Sequence, residues 1–241
     1  IGMGTPGDPV EESLAWYLFQ RAQGGRPGWR AWQRPTTDNP IVTPAEIEEM
    51  RVELGSFAFA REVLAQFVVA GGGLFKPELF RRYDHVKGSG LYFLGEDQVP
   101  LAHMRRFATV DLAASVKTYS DYTAIGAWGA ATDGRLLLLE VVRDKMDGAQ
   151  IIRALKEVVA RHGLTEVHVE KSAYTTHLIS EAKAQGVPVK ELVADKDKVT
   201  RAEPAQAAME AGRLWFPRTA TWLAEFEAEI LFRANKLEEQ K

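Results

Sequence analysis

Two acidic side chains stand at the ends of two apolar, strand-like stretches, and their types and positions suit metal chemistry. Asp111 ends the stretch FATVD, and Glu170 ends the stretch TEVHVE. Because side chains alternate between the faces of a strand, Asp111 shares a face with Thr109, and Glu170 shares one with His168. Two carboxylates in one sheet repel each other unless a cation neutralises them, and a hard divalent cation with oxygen ligands does so. The pattern therefore predicts a carboxylate metal site.

Other candidate residues have structural alternatives that the sequence leaves open. A single aspartate after a strand is also typical of a turn or a helix cap. Asp121, which precedes the next strand, is a further candidate acid with the same alternative, and His168 and His177 are interpreted as structural. The segment ADKDKVTRA places cations where a helix begins, which suits phosphate binding, but its two aspartates equally suit a salt-bridged surface loop. The cations of this segment are Lys196, Lys198 and Arg201.

The elements that would position the acids follow in a regular order from Phe107 onward. FATVDLA predicts a strand, Tyr122–Arg143 a hairpin that turns at Thr132–Gly134, and the stretch after Asp147 a helix ended by Gly163. Strands and helices then alternate as far as the last predicted helix. A strand, a hairpin and then alternating helices and strands predict an α/β fold with a mixed sheet flanked by helices.

The first third of the sequence predicts a different, mostly helical segment. Apolar residues at helical spacing predict one helix within residues 8–22, and the TPAE sequence at 43–46 is the start signal of another. The Gly-, Pro- and Trp-rich chain between them is expected to be irregular, as is the stretch Tyr83–Met104. The sequence opens without a methionine, so we expect a segment to precede it.

Composition excludes several classes of function. The 241 residues contain no cysteine and five histidines, so thiolate or histidine-rich metal sites are not expected. No apolar run approaches the roughly 20 residues of a membrane span. The formal net charge is −3, so any binding to a polyanion must come from local basic clusters.

Taken together, these stretches resemble the large terminase subunit of tailed bacteriophages, the motor and nuclease that packages viral DNA. TVDLAASVKTYSDYTAIGAWG is similar to the family's first nuclease strand and hairpin, and VHVEKSAY to its second acidic strand. DKDKVTRAEPAQAAMEAGRLWFP resembles the basic segment that follows. In the front part, GTPG resembles the motif that closes the ATPase core, and the TTDNP stretch with the helix after it resembles the connection to the nuclease.

The resemblance implies a ribonuclease H-like nuclease domain at 86–241, preceded at 1–85 by the end of the ATPase domain and a linker. The activity would be endonucleolytic cleavage of concatemeric viral DNA with two Mg²⁺ or Mn²⁺ ions about 3.5–4 Å apart. Asp111 and Glu170 would be the catalytic residues and metal ligands, with Asp111 bridging both ions. The DNA-binding residues would be Lys171, Lys196, Lys198 and Arg201. The partners would be double-stranded DNA, the portal protein and the small terminase subunit, with no membrane, in the cytoplasm of the infected bacterium.

Two features depart from the family pattern. No G-x-x-x-x-G-K-[ST] motif occurs, so no ATPase site is expected within this chain. The family's third acid, an aspartate pair that follows a further strand and loop, has no counterpart, because the last predicted helix ends near Leu231 and a short charged tail follows. Glu225 and Glu229 on that helix could substitute only if the helix lay close to Asp111. Asp121 is the other candidate.

Two alternative functions stay open on the sequence alone. A non-catalytic DNA-binding or docking fragment of a packaging motor would use the basic residues, and its carboxylates would be structural. Another ribonuclease H-like nuclease, such as a resolvase, shares the sheet, although the front segment argues against it. An actin-like kinase or ATPase is disfavoured because Leu112 and Ala113, in place of glycines, follow Asp111.

Overall fold

The computed structural model describes residues 14–24, 27–67, 75–112, 122–171, 175–193 and 198–239, without the side chains of 198–201 and 232–239. The chain divides into two compact units. The first comprises Ile1–Leu79, Asp197–Gly212 and Glu227–Lys241, and the second comprises Phe80–Lys196 and Arg213–Phe226. Among the described residues, no helix is both long enough and apolar enough to cross a membrane.

The second unit is built on one mixed sheet. Over the described residues this sheet has nine strands in the order β3-β2-β1-β9-β6-β5-β4-β7-β8. The strands are β1 (Arg81–His85), β2 (Leu91–Leu94), β3 (Asp97–Pro100), β4 (Arg105–Asp111), β5 (Thr123–Ala130), β6 (Leu136–Asp144), β7 (Glu166–Glu170), β8 (Val189–Leu192) and β9 (Leu214–Pro217). β4 pairs antiparallel with β5 and parallel with β7. The predicted α/β class with a mixed sheet is confirmed.

The hairpin of β5 and β6 turns where the sequence predicts. The backbone N–H of Ala131 donates to the carbonyl of Arg135 at 2.8 Å, and Asp133 accepts from the backbone N–H of Arg135 at 3.0 Å. Gly134 has a φ of 86°, a conformation that costs a glycine little and other residues more. This turn helps to set the pairing of β5 with β6, which places the end of β6 at the same edge of the sheet as the two acids.

One face of the sheet packs against helices α3 (Gly148–His162) and α4 (Thr176–Ala184). Asp147 caps α3 by accepting from the backbone N–H of Gln150 at 2.8 Å, and Gly163 ends it in the left-handed conformation, as predicted. The core on this face consists mainly of buried aliphatic side chains, among them Ala108, Val110, Ile125, Ile152, Leu155, Val167, Val169 and Ile179.

The expectation of an irregular stretch from Tyr83 to Met104 was wrong, because half of it lies in β1, β2 and β3. Tyr83, Tyr92, Leu94 and Val99 are buried in a second core, and the Tyr83 hydroxyl donates to the carbonyl of Leu138 at 2.9 Å. These strands are four or five residues long and contain several polar residues, so their apolar alternation is weak. The domain boundary at 85/86 stays a prediction, although β1 before it already pairs with β9.

The first unit contains α1 (Leu14–Gln23), α2 (Pro44–Glu62) and α5 (Lys198–Glu210). Thr43 caps α2 in a capping box with Glu46, as predicted. α2 is kinked at Gly55, which has a φ of 71° and ψ of 169°. A Cβ there would lie 2.9 Å from the Cα of Ala207 in α5, so glycine allows the two helices to approach closely.

The last helix is longer than expected. α6 runs from Leu223 to Glu239, so the predicted helix end near Leu231 was wrong. The sequence from 232 to 239 contains neither glycine nor proline, so no residue type there interrupts a helix. The further strand, loop and acid of the family pattern are therefore not found within the described part of the chain after residue 223.

Candidate active site

The two predicted acids end adjacent parallel strands. In the register of β4 with β7, Thr109 lies beside His168 and Val110 lies beside Val169. One residue further along, Asp111 and Glu170 are the final residues of their strands. Since neighbouring strands are about 4.8 Å apart, the two acids leave the same edge of the sheet side by side.

Both acids project from the face of the sheet that is opposite the α3 and α4 core. Burial in β4 alternates, with Ala108 and Val110 buried and Thr109 and Asp111 exposed, and β7 follows the same pattern up to the exposed Glu170. The predicted sharing of faces is therefore confirmed. Two exposed carboxylates side by side form a negatively charged position that is open to solvent and to a ligand.

Small residues border Asp111 on its other side. Ala124 of β5 lies directly opposite Asp111, and Gly126 lies opposite Thr109. A Cβ at Gly126 would lie 3.1 Å from Nε1 of Trp128, which donates to Oγ1 of Thr109 at 2.9 Å. The side chain opposite the acid on β5 is thus short, and Trp128, further along the same strand, is held by its hydrogen bond to Thr109.

A cationic side chain lies level with Asp111, two strands away in the sheet. Arg143 of β6 pairs in register with Ala124, so it shares the face of the acids. Its guanidinium donates to Oε1 of Glu225 at 2.5 Å and lies 3.8 Å from the ring centroid of Tyr122. Sequence reasoning missed Arg143, because its position depends on the register of the hairpin and on a bulge between Ala127 and Trp128.

The third acid is not identified by the structure. Over the described residues, no group of three or more His, Asp or Glu side chains is arranged to hold a metal ion. Asp121 lies outside the described residues, and the carboxylate of Glu225 is already bonded to Arg143. Glu229 lies in the part of α6 that belongs to the first unit. The described site therefore consists of two carboxylates.

His168 has a structural environment, in agreement with its interpretation from sequence. Its Nε2 lies 3.1 Å from Oε2 of Glu166, and its ring packs edge-on against Phe107 with 5.7 Å between centroids. Glu166 also accepts from Nζ of Lys190 at 2.7 Å, and this bond is the main reason why the pKa of Glu166 lies below its usual value. The charge of Glu166 is thus compensated by Lys190, at the end of β7 that is remote from Glu170.

Of the predicted phosphate-binding residues, the structure describes the side chain of Lys171 alone. Nζ of Lys171 lies 2.7 Å from Oε2 of Glu191, and Nζ of Lys183 lies 2.6 Å from Oε1 of the same residue. Hydrogen bonds from these two lysines, with the larger effect from Lys171, lower the pKa of Glu191 to about 2. α5 begins at Lys198, so a helix does begin within this basic segment as predicted, but the side chains of Lys198 and Arg201 are not described. Lys196 lies outside the described residues.

A mixed sheet that carries two carboxylates at the ends of adjacent parallel strands is the arrangement expected of a ribonuclease H-like protein. Residues 108–235, just over half of the chain, match the terminase RNaseH-like domain family. The chain belongs to that family, as the sequence motifs indicate.

Solved structures of large terminases share the fold. The large terminase of a thermophilic bacteriophage aligns with a TM-score of 0.64 at 11% identity, over 96% of this chain and 61% of that chain. The complex of the same terminase with ATP-gamma-S aligns with the same TM-score at 13% identity, over 93% and 53%. The chain spans between 47% and 61% of the length of these terminases. No curated protein sequence is significantly similar to the chain.

Proposed function

We propose that this chain is the metal-dependent endonuclease part of a phage packaging terminase, which cuts concatemeric viral DNA by hydrolysing phosphodiester bonds. The observation that carries the proposal is the register of β4 with β7, which brings Asp111 and Glu170 to the same edge of a terminase-family sheet. Two carboxylates that leave one edge of the sheet side by side supply the oxygen ligands that a hard divalent cation takes.

The residues present fit a hard divalent cation. Asp111 and Glu170 offer only carboxylate oxygens, which suit Mg²⁺ or Mn²⁺, and the sequence contains no cysteine to offer a thiolate. Asp111, which lies between Glu170 on β7 and the small Ala124 on β5, would hold the cations together with Glu170. When bound, such ions activate the attacking water and stabilise the leaving 3′ oxygen.

The remaining tasks fall to residues of the protein. Ala124, which lies opposite Asp111 on β5, has a short side chain that leaves room beside the acid for a sugar–phosphate backbone. Lys171, Lys196, Lys198 and Arg201 are the residues that we propose to supply positive charge for DNA phosphates. Contacts of this kind position the backbone without reading bases, so the cleavage is expected to be tolerant of sequence.

The proposed setting follows the same family. The partners are double-stranded DNA, the portal protein and the small terminase subunit, and the place of action is the cytoplasm of the infected bacterium. Each of these is a property of a complete terminase and extends beyond the part that this chain spans.

The second candidate function is that of a non-catalytic DNA-binding or docking fragment. It is favoured by one observation: the described residues provide two carboxylates where the family pattern has three acids. A resolvase-type nuclease is the less suitable alternative, because the family match is to terminases. Dependence of cleavage on metal and on Glu170 separates catalysis from docking.

We expect the wild-type chain to nick supercoiled plasmid with Mg²⁺ or Mn²⁺ and to lose this activity in EDTA. Glu170→Gln should lower the nicking rate by roughly 10²-fold, or about 2.7 kcal/mol of barrier, because one cation loses a charged ligand. Glu166→Gln is the matched control, because it makes the same change on the same face at the other end of β7. Cleavage by the Glu170 variant at the wild-type rate would show that another acid holds the metal.

Lys171→Ala is expected to weaken the binding of duplex DNA. The slope of log K against log salt concentration should become less steep by about 0.9, the value for one lost phosphate contact. Lys183→Ala is the control, since Lys183 pairs with the same carboxylate of Glu191 but does not follow Glu170. Fluorescence anisotropy over a range of salt concentrations in EDTA measures both variants. Equal changes in the two would assign the effect to the loss of a partner for Glu191 and not to a phosphate contact.

A further inference from the structure

The front part of the chain contains a segment in which arginine and tryptophan are concentrated and acids are absent. From Ser13 to Thr37 there is no Asp or Glu, although the chain as a whole has a net charge of −3. The same stretch contains Arg21, Arg26, Arg30 and Arg34, and three of the six tryptophans. Its charge is therefore opposite in sign to that of the whole chain.

Within this stretch, residues 29–34 form what we term the arginine–tryptophan segment, which has no helix or strand of its own. It is held at its end: Nε2 of Gln33 donates to the carbonyl of Ala65 at 2.8 Å, and the backbone N–H of Thr36 donates to the carbonyl of Val63 at 2.7 Å. The segment is thus attached to the chain that follows α2, within the first unit.

The arginine and tryptophan side chains of the segment are exposed. Arg30, Trp32 and Arg34 alternate with the half-buried Ala31 and the attached Gln33. Trp32 is 70% exposed, which is high for the largest apolar side chain. Arg34 makes one long contact, 3.7 Å from Asp38, in which both side chains remain more than half exposed.

Exposed arginines on either side of an exposed indole match the chemistry of a nucleic-acid strand. Guanidinium groups bind phosphates, and an aromatic ring stacks on a base whose face is accessible. In a continuous duplex the faces of the bases are covered by their neighbours, so the indole suits unpaired bases at an end, a nick or a single-stranded stretch. The absence of acids from Ser13 to Thr37 favours such a polyanion over a protein partner of mixed charge.

We propose that Arg30, Trp32 and Arg34 form a second DNA contact, which binds a strand with unpaired bases. The proposal rests on DNA as the substrate proposed above and adds to it a preference for single-stranded or frayed DNA. The two arginines bind phosphates, and Trp32 stacks on a base between them. This contact involves no residue of the proposed metal site, so it can be tested without cleavage.

The binding of a labelled 20-nucleotide single strand and of the matching duplex should be measured by anisotropy in EDTA. Trp32→Ala should weaken binding of the single strand by about 5- to 150-fold, the range of one base–aromatic stack, and binding of the duplex much less. Trp32→Phe keeps an aromatic face and should retain most of the affinity. Ile41→Ala, which removes a side chain that is 85% exposed in the same unit, should change neither.

The double variant Arg30→Ala/Arg34→Ala should reduce the salt dependence of single-strand binding by about 1.4 in log–log slope, since two phosphate contacts are lost. Lys87→Ala, another exposed cation, is the control. Unchanged single-strand affinity in Trp32→Ala, or an effect that is equal for duplex and single strand, would overturn the proposal. So would normal DNA binding with altered self-association, which would make the segment a protein contact. Because no metal is present, these results do not depend on whether the chain cleaves DNA.

Discussion

Replacing Asp111 by asparagine should abolish metal-dependent nicking of plasmid DNA while the fold stays intact. Asparagine has nearly the shape of aspartate, so the pairing of β4 with β5 and β7 is kept. The negative charge beside Glu170 is lost, and with it a carboxylate ligand of the proposed metal site. We expect the rate to fall at least roughly 10³-fold, which corresponds to about 4 kcal/mol of barrier.

Asp144→Asn provides a matched control for this experiment. Asp144 ends β6 at the same edge of the sheet and is exposed, but it pairs in register with Thr123 and therefore lies on the opposite face from Asp111. It should keep the wild-type nicking rate. If Asp144→Asn lost as much activity as Asp111→Asn, a general loss of negative charge at this edge would explain both results. Circular dichroism and thermal melting establish that each variant is folded.

The positions of the two acids could be predicted because they depend on local sequence. Alternation in β4 and β7 fixes which face each side chain takes, and the end of each apolar stretch fixes the edge. The place of Arg143 could not be predicted in the same way. It depends on pairing between β5 and β6, with a bulge that shifts the register by one residue.

The order of the strands in the sheet could not be predicted from the sequence either. β9 follows α5 in the chain but lies between β1 and β6 in the sheet, and two parallel pairings of two or three residues fix this position. Such short strands have no periodicity that specifies a neighbour. The pairing of β9 with β1 also explains why the boundary of the sheet could not be placed from composition, since β1 contains Arg81, Arg82, Asp84 and His85 among its five residues.

Where α5 packs on α2, polar side chains are buried, although polar residues are usually exposed to solvent. Glu203 and Gln206 of α5 are buried, at 9% and 5% exposure. Glu210 accepts from the backbone N–H of Ser56 at 2.7 Å and from its hydroxyl at 2.6 Å, just after the kink at Gly55. The kink leaves that N–H without its usual helical partner, and a carboxylate of another helix supplies one.

Within this helix pair, Arg61→Met should produce the largest loss of stability. Nη1 of Arg61 lies 2.9 Å from Oε1 of Glu203, Nη2 donates to Oε2 at 3.2 Å, and each side chain is only 11% exposed. Burial alone lowers the pKa of Arg61, but its hydrogen bonds to Glu62 and Glu203 outweigh this and raise it. Removing the arginine leaves Glu203 as a buried, uncompensated charge, and this costs about 3–5 kcal/mol. Urea unfolding followed by circular dichroism measures the free energy.

Two further variants separate the buried charge from the loss of an arginine. Arg51→Met makes the same change on the same helix, but the Arg51 side chain is 54% exposed and its partner Glu48 is 67% exposed, so it should cost no more than about 1 kcal/mol. In the double variant Arg61→Met/Glu203→Met, both charges are replaced by apolar side chains, so most of the lost stability should return. If Arg61→Met cost no more than Arg51→Met, Glu203 would be accommodated without its partner. If the double variant were no more stable than Arg61→Met, packing of the arginine stem on α2 would explain the loss instead of the ion pair.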